Sequence, residues 1–207
     1  KEEYRKAYSQ MGELSSANSS LNSDLSTIQY SSISSSTETK FKNDLKSAEE
    51  GIEKVRAENE KLGELKAVKV GEGKKKYEEF NEKLDKYLEY TENSLKSMKD
   101  LYGAAKPCAG NTSLSDASAY KSALNECTSA LKKVANTPNE DVKTYVKSLT
   151  TEYENLSSVV DKLSSITDPY GKQYDEYKTL RDQSYDIQDN ISDAYTDFKS
   201  NITKHSK

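Results

Sequence analysis

Histidine occurs once in this chain, cysteine twice, proline three times, glycine eight times and tryptophan not at all. Each scarcity removes something. A structural zinc site takes about four Cys or His ligands, and the whole supply here is Cys108, Cys127 and His205. No C-x-x-C pair is present, so a thioredoxin-like redox centre is excluded. A serine nucleophile would have to borrow His205, close to a chain end expected to fray. The inward-facing E-x-x-H pairs of di-iron bundles are missing as well. "GEGKKK" looks like a phosphate loop but lacks the G-x-x-x-x-G-K-[ST] spacing and follows no strand. We therefore expect no enzyme, no catalytic or metal-binding residue and no cofactor.

Long apolar runs are equally scarce. None approaches the roughly 20 residues of a membrane-spanning helix, and no hydrophobic hairpin of a pore former stands out. The chain begins at Lys1 rather than Met. It reads as a mature or trimmed product, from which a signal peptide, a lipid-anchor cysteine or a membrane helix can have been removed. Charge of one sign is scarce too: 31 basic and 35 acidic side chains leave a net charge of -4. The one dense basic run, Lys74–Lys76, is flanked by Glu72, Glu78 and Glu79. No nucleic-acid partner is expected, because that work needs a basic stripe.

What is abundant is polarity with a period. Hydrophobic residues make up 33% of the 207 residues and charged ones 32%. So few apolar residues suit either a disordered chain or long helices with narrow apolar seams. The low Pro and Gly content and the spacing of the apolar residues favour helices. Tyr4, Ala7, Met11, Leu14, Asn18, Leu21, Leu25 and Ile28 alternate three and four apart, a heptad seam. The serine-rich stretch that carries it is a mediocre helix former. A loop is expected over 31–39. A second segment runs from about Thr39 to Val70, and "GEG" at 71–73 is read as the break. A third runs from Lys74 to Ala105, with Pro107 as its stop signal. A fourth starts near Ser113 or Ser115, and a fifth carries Val142, Val146, Leu149, Tyr153, Leu156, Val160 and Leu163. "TDPYG" is a turn into the sixth.

The expected fold is all-α: an elongated antiparallel helical bundle of five to six helices. A faint repeat with a period near 100 residues divides it into two tandem three-helix units, 1–105 and 106–207, unless the whole is a single domain.

Cys108 and Cys127 are the most informative pair. With metal removed, they are either a disulfide or two separate buried thiols. If the fourth helix starts near Ser115, Cys127 lies about 18 Å along its axis. The segment from Cys108 to Ser115 spans at most roughly 25 Å. A bridge is feasible if that loop lies along its own helix or if the third helix ends beside the fourth. It would stabilise the fold by about 3 kcal/mol in the chain-entropy model, and it would place the protein in an oxidising compartment. Five N-x-[ST] triplets, at Asn18, Asn111, Asn155, Asn190 and Asn201, lean the same way.

Tyrosine is over-represented: fifteen Tyr against three Phe. Tyr170, Tyr174 and Tyr177 share one helical face and are expected in the core, with hydroxyls reaching water at its edge. Tyr185 and Tyr195 fall one position off the last seam. Tyr is an efficient contact residue, so these two are the candidate partner-binding residues, against the plainer reading that they shield the seam edge. The expected function is a non-catalytic, extracellular or cell-envelope module (a surface protein, lipoprotein or receptor ectodomain) that binds a protein or other partner through helix faces. Membrane attachment would come only from an anchor outside this chain. The alternatives are a structural spacer or coiled-coil element that self-associates, and the periplasmic sensor domain of a membrane receptor.

Overall fold

The computed structural model describes residues 1–29, 37–109 and 117–205. The protein is an all-α helical bundle with six α-helices and no strand among these residues. They are α1 (Glu2–Gln29), α2 (Glu38–Glu64), α3 (Gly71–Ala105), α4 (Ala117–Lys133), α5 (Glu140–Ser164) and α6 (Tyr174–His205). Most of the loop expected at 31–39, and the start expected for the fourth helix at Ser113 or Ser115, lie outside the described residues. The chain groups into two compact units, and the division falls inside α3, between Leu95 and Lys96.

In the first unit, α1 and α2 pack antiparallel. Gln10 Nε2 donates to the Glu58 carbonyl at 2.9 Å, and a Cβ added to Gly51 would stand 3.2 Å from Leu21 Cδ1 and 3.5 Å from Leu21 Cα. Gly51, Ala17 and Ala48 therefore let the two backbones approach closely. Buried Ala7, Leu14, Ala17, Leu21 and Ile28 meet Phe41, Leu45, Ile52, Val55 and Leu62. Serine is tolerated in α1 because several hydroxyls turn back onto their own helix: Ser20 Oγ donates to the Ser16 carbonyl and Ser26 Oγ to that of Ser23.

The expected α1 seam is buried along only one of its two columns. Ala7, Leu14, Leu21 and Ile28, seven apart, are all in the core. In the other column Leu25 is buried, but Tyr4 is 68% and Met11 56% exposed. A two-column heptad seam needs neighbours on both sides. On the α3 side the closure is incomplete at this end, where Phe80 is itself 42% exposed.

The break between α2 and α3 also differs from expectation. "GEG" does not separate the helices but opens α3, and the reversal lies at 65–70, through a 3-10 turn at Lys66–Val68. Glycine is needed there for two reasons. Gly71 has φ +56, in the left-handed region, and a Cβ on Gly73 would fall 2.0 Å from the Ala67 carbonyl oxygen. The antiparallel α2–α3 pair is then tied by Arg56 to Glu92 at 2.5 Å and by Asn59 Nδ2 to Asn81 Oδ1 at 2.5 Å. The Arg56 guanidinium holds the Glu92 carboxyl below its ordinary range.

In the second unit the end of α3 joins α4, α5 and α6. Lys121–Asp161 and Lys132–Glu154 pair α4 antiparallel to α5. One cluster of buried residues gathers Leu101, Cys127, Leu131, Val142, Val146 and Phe198. The other gathers Tyr120, Leu124, Leu156, Val160, Leu180 and Ile187. Asn139 starts α5, its side-chain oxygen accepting from the backbone N–H groups of Asp141 and Val142, each at 3.0 Å. Its own N–H donates to Ser97 Oγ at 3.1 Å, with both residues buried.

The tyrosines at the start of α6 are not core. Tyr170 is 86% and Tyr174 49% exposed. Tyr170 lies in the turn before the helix rather than on it, with its ring 6.4 Å from that of Tyr177. That turn is closed by polar groups: Gln173 Oε1 accepts from the N–H of Thr167, and Asp168 Oδ2 from that of Lys172.

Candidate functional site

The sequence-predicted site residues all fall in the second unit. Pro107 does not simply stop α3; the chain tightens into a 3-10 turn, Lys106–Ala109, that carries Cys108. Of the two geometries that allow a bridge, the end of α3 beside α4 is the one observed. Cys108 and Cys127 form a disulfide with their Cα atoms 4.6 Å apart. Cys127 is fully buried against Leu131, Leu101 and Val146, while Cys108 is only partly covered.

The bridge forms part of a cavity of about 370 Å³. Its walls are Ala123 and Leu124 of α4, Leu156 of α5 and Ile191 of α6, together with Tyr120 and Tyr153. Burial pushes the Tyr153 phenol up, and the nearby Tyr120 adds to this. Burial alone raises Tyr120.

Tyr185 and Tyr195 have different surroundings. Tyr195 is half-buried against the core. Its ring lies 6.2 Å from that of Tyr145, and Lys199 Nζ sits 4.5 Å above it. Tyr185 is 56% exposed. It stands one helical turn after Arg181, whose guanidinium is raised chiefly by its hydrogen bond to Asp182, with smaller contributions from Tyr185 and Tyr177. Tyr177, Arg181 and Tyr185 thus form an i, i+4, i+8 row on α6.

Two further grooves were not foreseen. One, of about 320 Å³, lies between α5 and α6 among Glu152, Asn155, Lys162, Asp186 and Asn190. Two of the N-x-[ST] asparagines, Asn155 and Asn190, are exposed there, whereas Asn111 lies outside the described residues. The other, of about 270 Å³, is apolar and belongs to the first unit: Met11, Leu14, Leu62, Phe80 and Leu84, with Asn18. Asn18 Oδ1 is buried there without a hydrogen-bond partner.

Among the described residues no group of three or more His, Cys, Asp or Glu is placed to hold a metal ion, and no helix is long and apolar enough to cross a membrane. The side chain of His205 lies outside the described residues. No protein-family model matches the chain, and no curated protein or solved structure matches it either. The disulfide is thus the feature that bears most directly on where the protein works, since such bonds persist in oxidising compartments.

Proposed function

We propose that the protein is a non-catalytic helical module of the extracellular space or cell envelope, which binds a protein partner through an exposed helix face. The observation that carries the location is the Cys108–Cys127 disulfide. The face that best fits a partner is the first half of α6, where Tyr177, Arg181 and Tyr185 stand in a row beside exposed Tyr174. Tyr and Arg are the residues that most often dominate binding energy at protein interfaces.

Location is tested by blocking free thiols in intact cells of the source, before lysis, and then measuring the mass of the protein. An unmodified, bridged chain that external protease removes from the cell surface supports the reading. A chain with two alkylated thiols, inaccessible to protease, overturns it. Binding is tested by proximity labelling at the cell surface with wild type and with Tyr185→Ala/Arg181→Ala. A partner labelled by the wild type and lost with the double variant supports the α6 face.

The second reading, self-association, is favoured by the apolar groove of the first unit, where Met11 and Phe80 are exposed, together with exposed Tyr4 and Tyr8 on the same α1. Sedimentation equilibrium separates the two: a dimer dissociated by Met11→Lys supports self-association, and a monomer at high concentration removes it.

A further inference from the structure

We propose that the cavity beside the disulfide is a binding site for a small, flat, uncharged and mostly apolar ring compound carrying a hydrogen-bond acceptor, which the Tyr120 and Tyr153 hydroxyls would meet. The proposal goes beyond the helix-face reading and stands on different residues.

Size comes first. At about 370 Å³ the cavity lies within the roughly 300–1,000 Å³ of small-molecule sites, and the space between helices of a bundle is a common place for one.

Polarity comes next. The body of the cavity is apolar: Leu124, Leu156, Ile191 and Ala123. The sulfur atoms of the Cys108–Cys127 bridge are soft and polarisable, and divalent sulfur packs well against aromatic rings. Two phenol rings add faces and edges that stack on a flat ligand. None of the residues lining the cavity is charged. An ionised ligand would leave water without a counter-charge, at a cost that favours a neutral one.

The decisive observation is the polar supply. Tyr120 is more than nine-tenths buried, at 8% exposure, and lines the cavity. Neither its hydroxyl oxygen nor that of Tyr153 is fully enclosed, so each can meet water or a ligand in the cavity. Neither the Tyr120 nor the Tyr153 hydroxyl has a protein partner among the described residues. Burial keeps both phenols protonated at neutral pH and beyond, so each has an O–H to give. Besides the exposed Gln188 amide at its edge, these two donors are the polar side chains of an uncharged cavity, and they define the acceptor that the ligand must bring.

The test uses the whole oxidised protein and one probe, the neutral naphthyl ketone 6-propionyl-2-(dimethylamino)naphthalene. It is flat, carries a single carbonyl acceptor, and shifts its fluorescence to the blue on leaving water. Saturable one-to-one binding is expected. Ala123→Trp, which fills the cavity, should abolish it. Tyr120→Phe should weaken it roughly three- to tenfold, the worth of one hydrogen bond. Phe80→Ser, in the apolar groove of the other unit, should leave it unchanged.

Absence of saturable binding, retention of full affinity in Ala123→Trp, or loss in Phe80→Ser each overturns the proposal. Should Ala123→Trp fail to fold by circular dichroism, NMR of the wild-type protein decides instead. The probe must shift the ring signals of Tyr120 and Tyr153; shifts confined to Phe80 and Met11 overturn the site.

Discussion

At the residue scale, a few polar side chains carry more of the structure than their number implies. Asn139 is the clearest. It caps α5 through two backbone N–H groups and is itself buried, with its own N–H given to Ser97 in α3. Replacing an Asn cap by Ala costs about 0.5–2 kcal/mol. Here the two freed N–H groups would be poorly solvated, which places the loss toward the upper end. Asn139→Ala is therefore expected to lower stability by about 2 kcal/mol, read as a lower urea midpoint with an unchanged slope. Asn139→Asp should retain most of the stability, because its carboxylate still accepts both bonds and suits a helix N-terminus. "NTPNED" reads in the sequence as a helix boundary, but the tie from Asn139 to Ser97 does not. It joins residues 42 positions apart, and no local pattern marks such a pairing. For the same reason Tyr120 and Tyr153 read from the sequence as ordinary seam residues. That their hydroxyls lack protein partners depends on what α4, α5 and α6 leave open between them.

At the scale of elements, the apolar spacing makes all six helices legible, and it fails where backbone geometry decides. "GEG" carries two glycines and so reads as a break. In the structure those glycines permit the first turn of α3 to fold back against the 3-10 turn before it. Gly73→Ala would drive a Cβ into the Ala67 carbonyl, so the reversal must open. A loss of about 1–3 kcal/mol is expected, in the range of overpacking a tight site. It should appear in hydrogen exchange as earlier opening of 65–75. Gly12→Ala, with nothing near the added methyl, is the control and should gain up to about 1 kcal/mol from helix propensity.

The disulfide belongs to this scale as well. Ligand counting removes metal and chain reach makes the bridge feasible, with two separate thiols still open; the bridge and its geometry require knowing that α3 continues to Ala105 and ends beside α4. It closes a loop across a sequence separation of 19, worth about 3 kcal/mol in the chain-entropy model. Cys108→Ser/Cys127→Ala, which leaves the smaller apolar residue at the buried position, should lower the thermal midpoint by roughly 6–12 °C at about 2–4 °C per kcal/mol. A calorimetric shift below about 2 °C would remove the bridge as a stabilising element.

At the scale of the whole molecule, the excess of tyrosine over phenylalanine has a measurable consequence. The phenols of Tyr77, Tyr87, Tyr120, Tyr145, Tyr153 and Tyr195 are held above their ordinary range, in each case chiefly by burial. In the unfolded chain these groups ionise near pH 10. A raised folded value means that, above that pH, the unfolded state binds fewer protons than the folded one. Stability is then fully present below about pH 10 and falls as pH climbs toward the folded values. Each such phenol contributes at most about 1.4 kcal/mol per pH unit to that fall. A core built with phenylalanine would show no such slope. Phenolate absorbance at 295 nm should accordingly lag in the folded protein behind that of the unfolded chain above about pH 10. Tyr145 is the sharpest single case: it is buried, its ring stacks on Phe198 at 4.7 Å, and the neighbouring Tyr153 and Tyr195 raise it further. Tyr145→Phe keeps that stacking and removes the raised phenol. Its thermal midpoint should match the wild type near pH 8 and exceed it at pH 11. Equal midpoints at both values would mean that the Tyr145 hydroxyl reaches water freely in the folded protein.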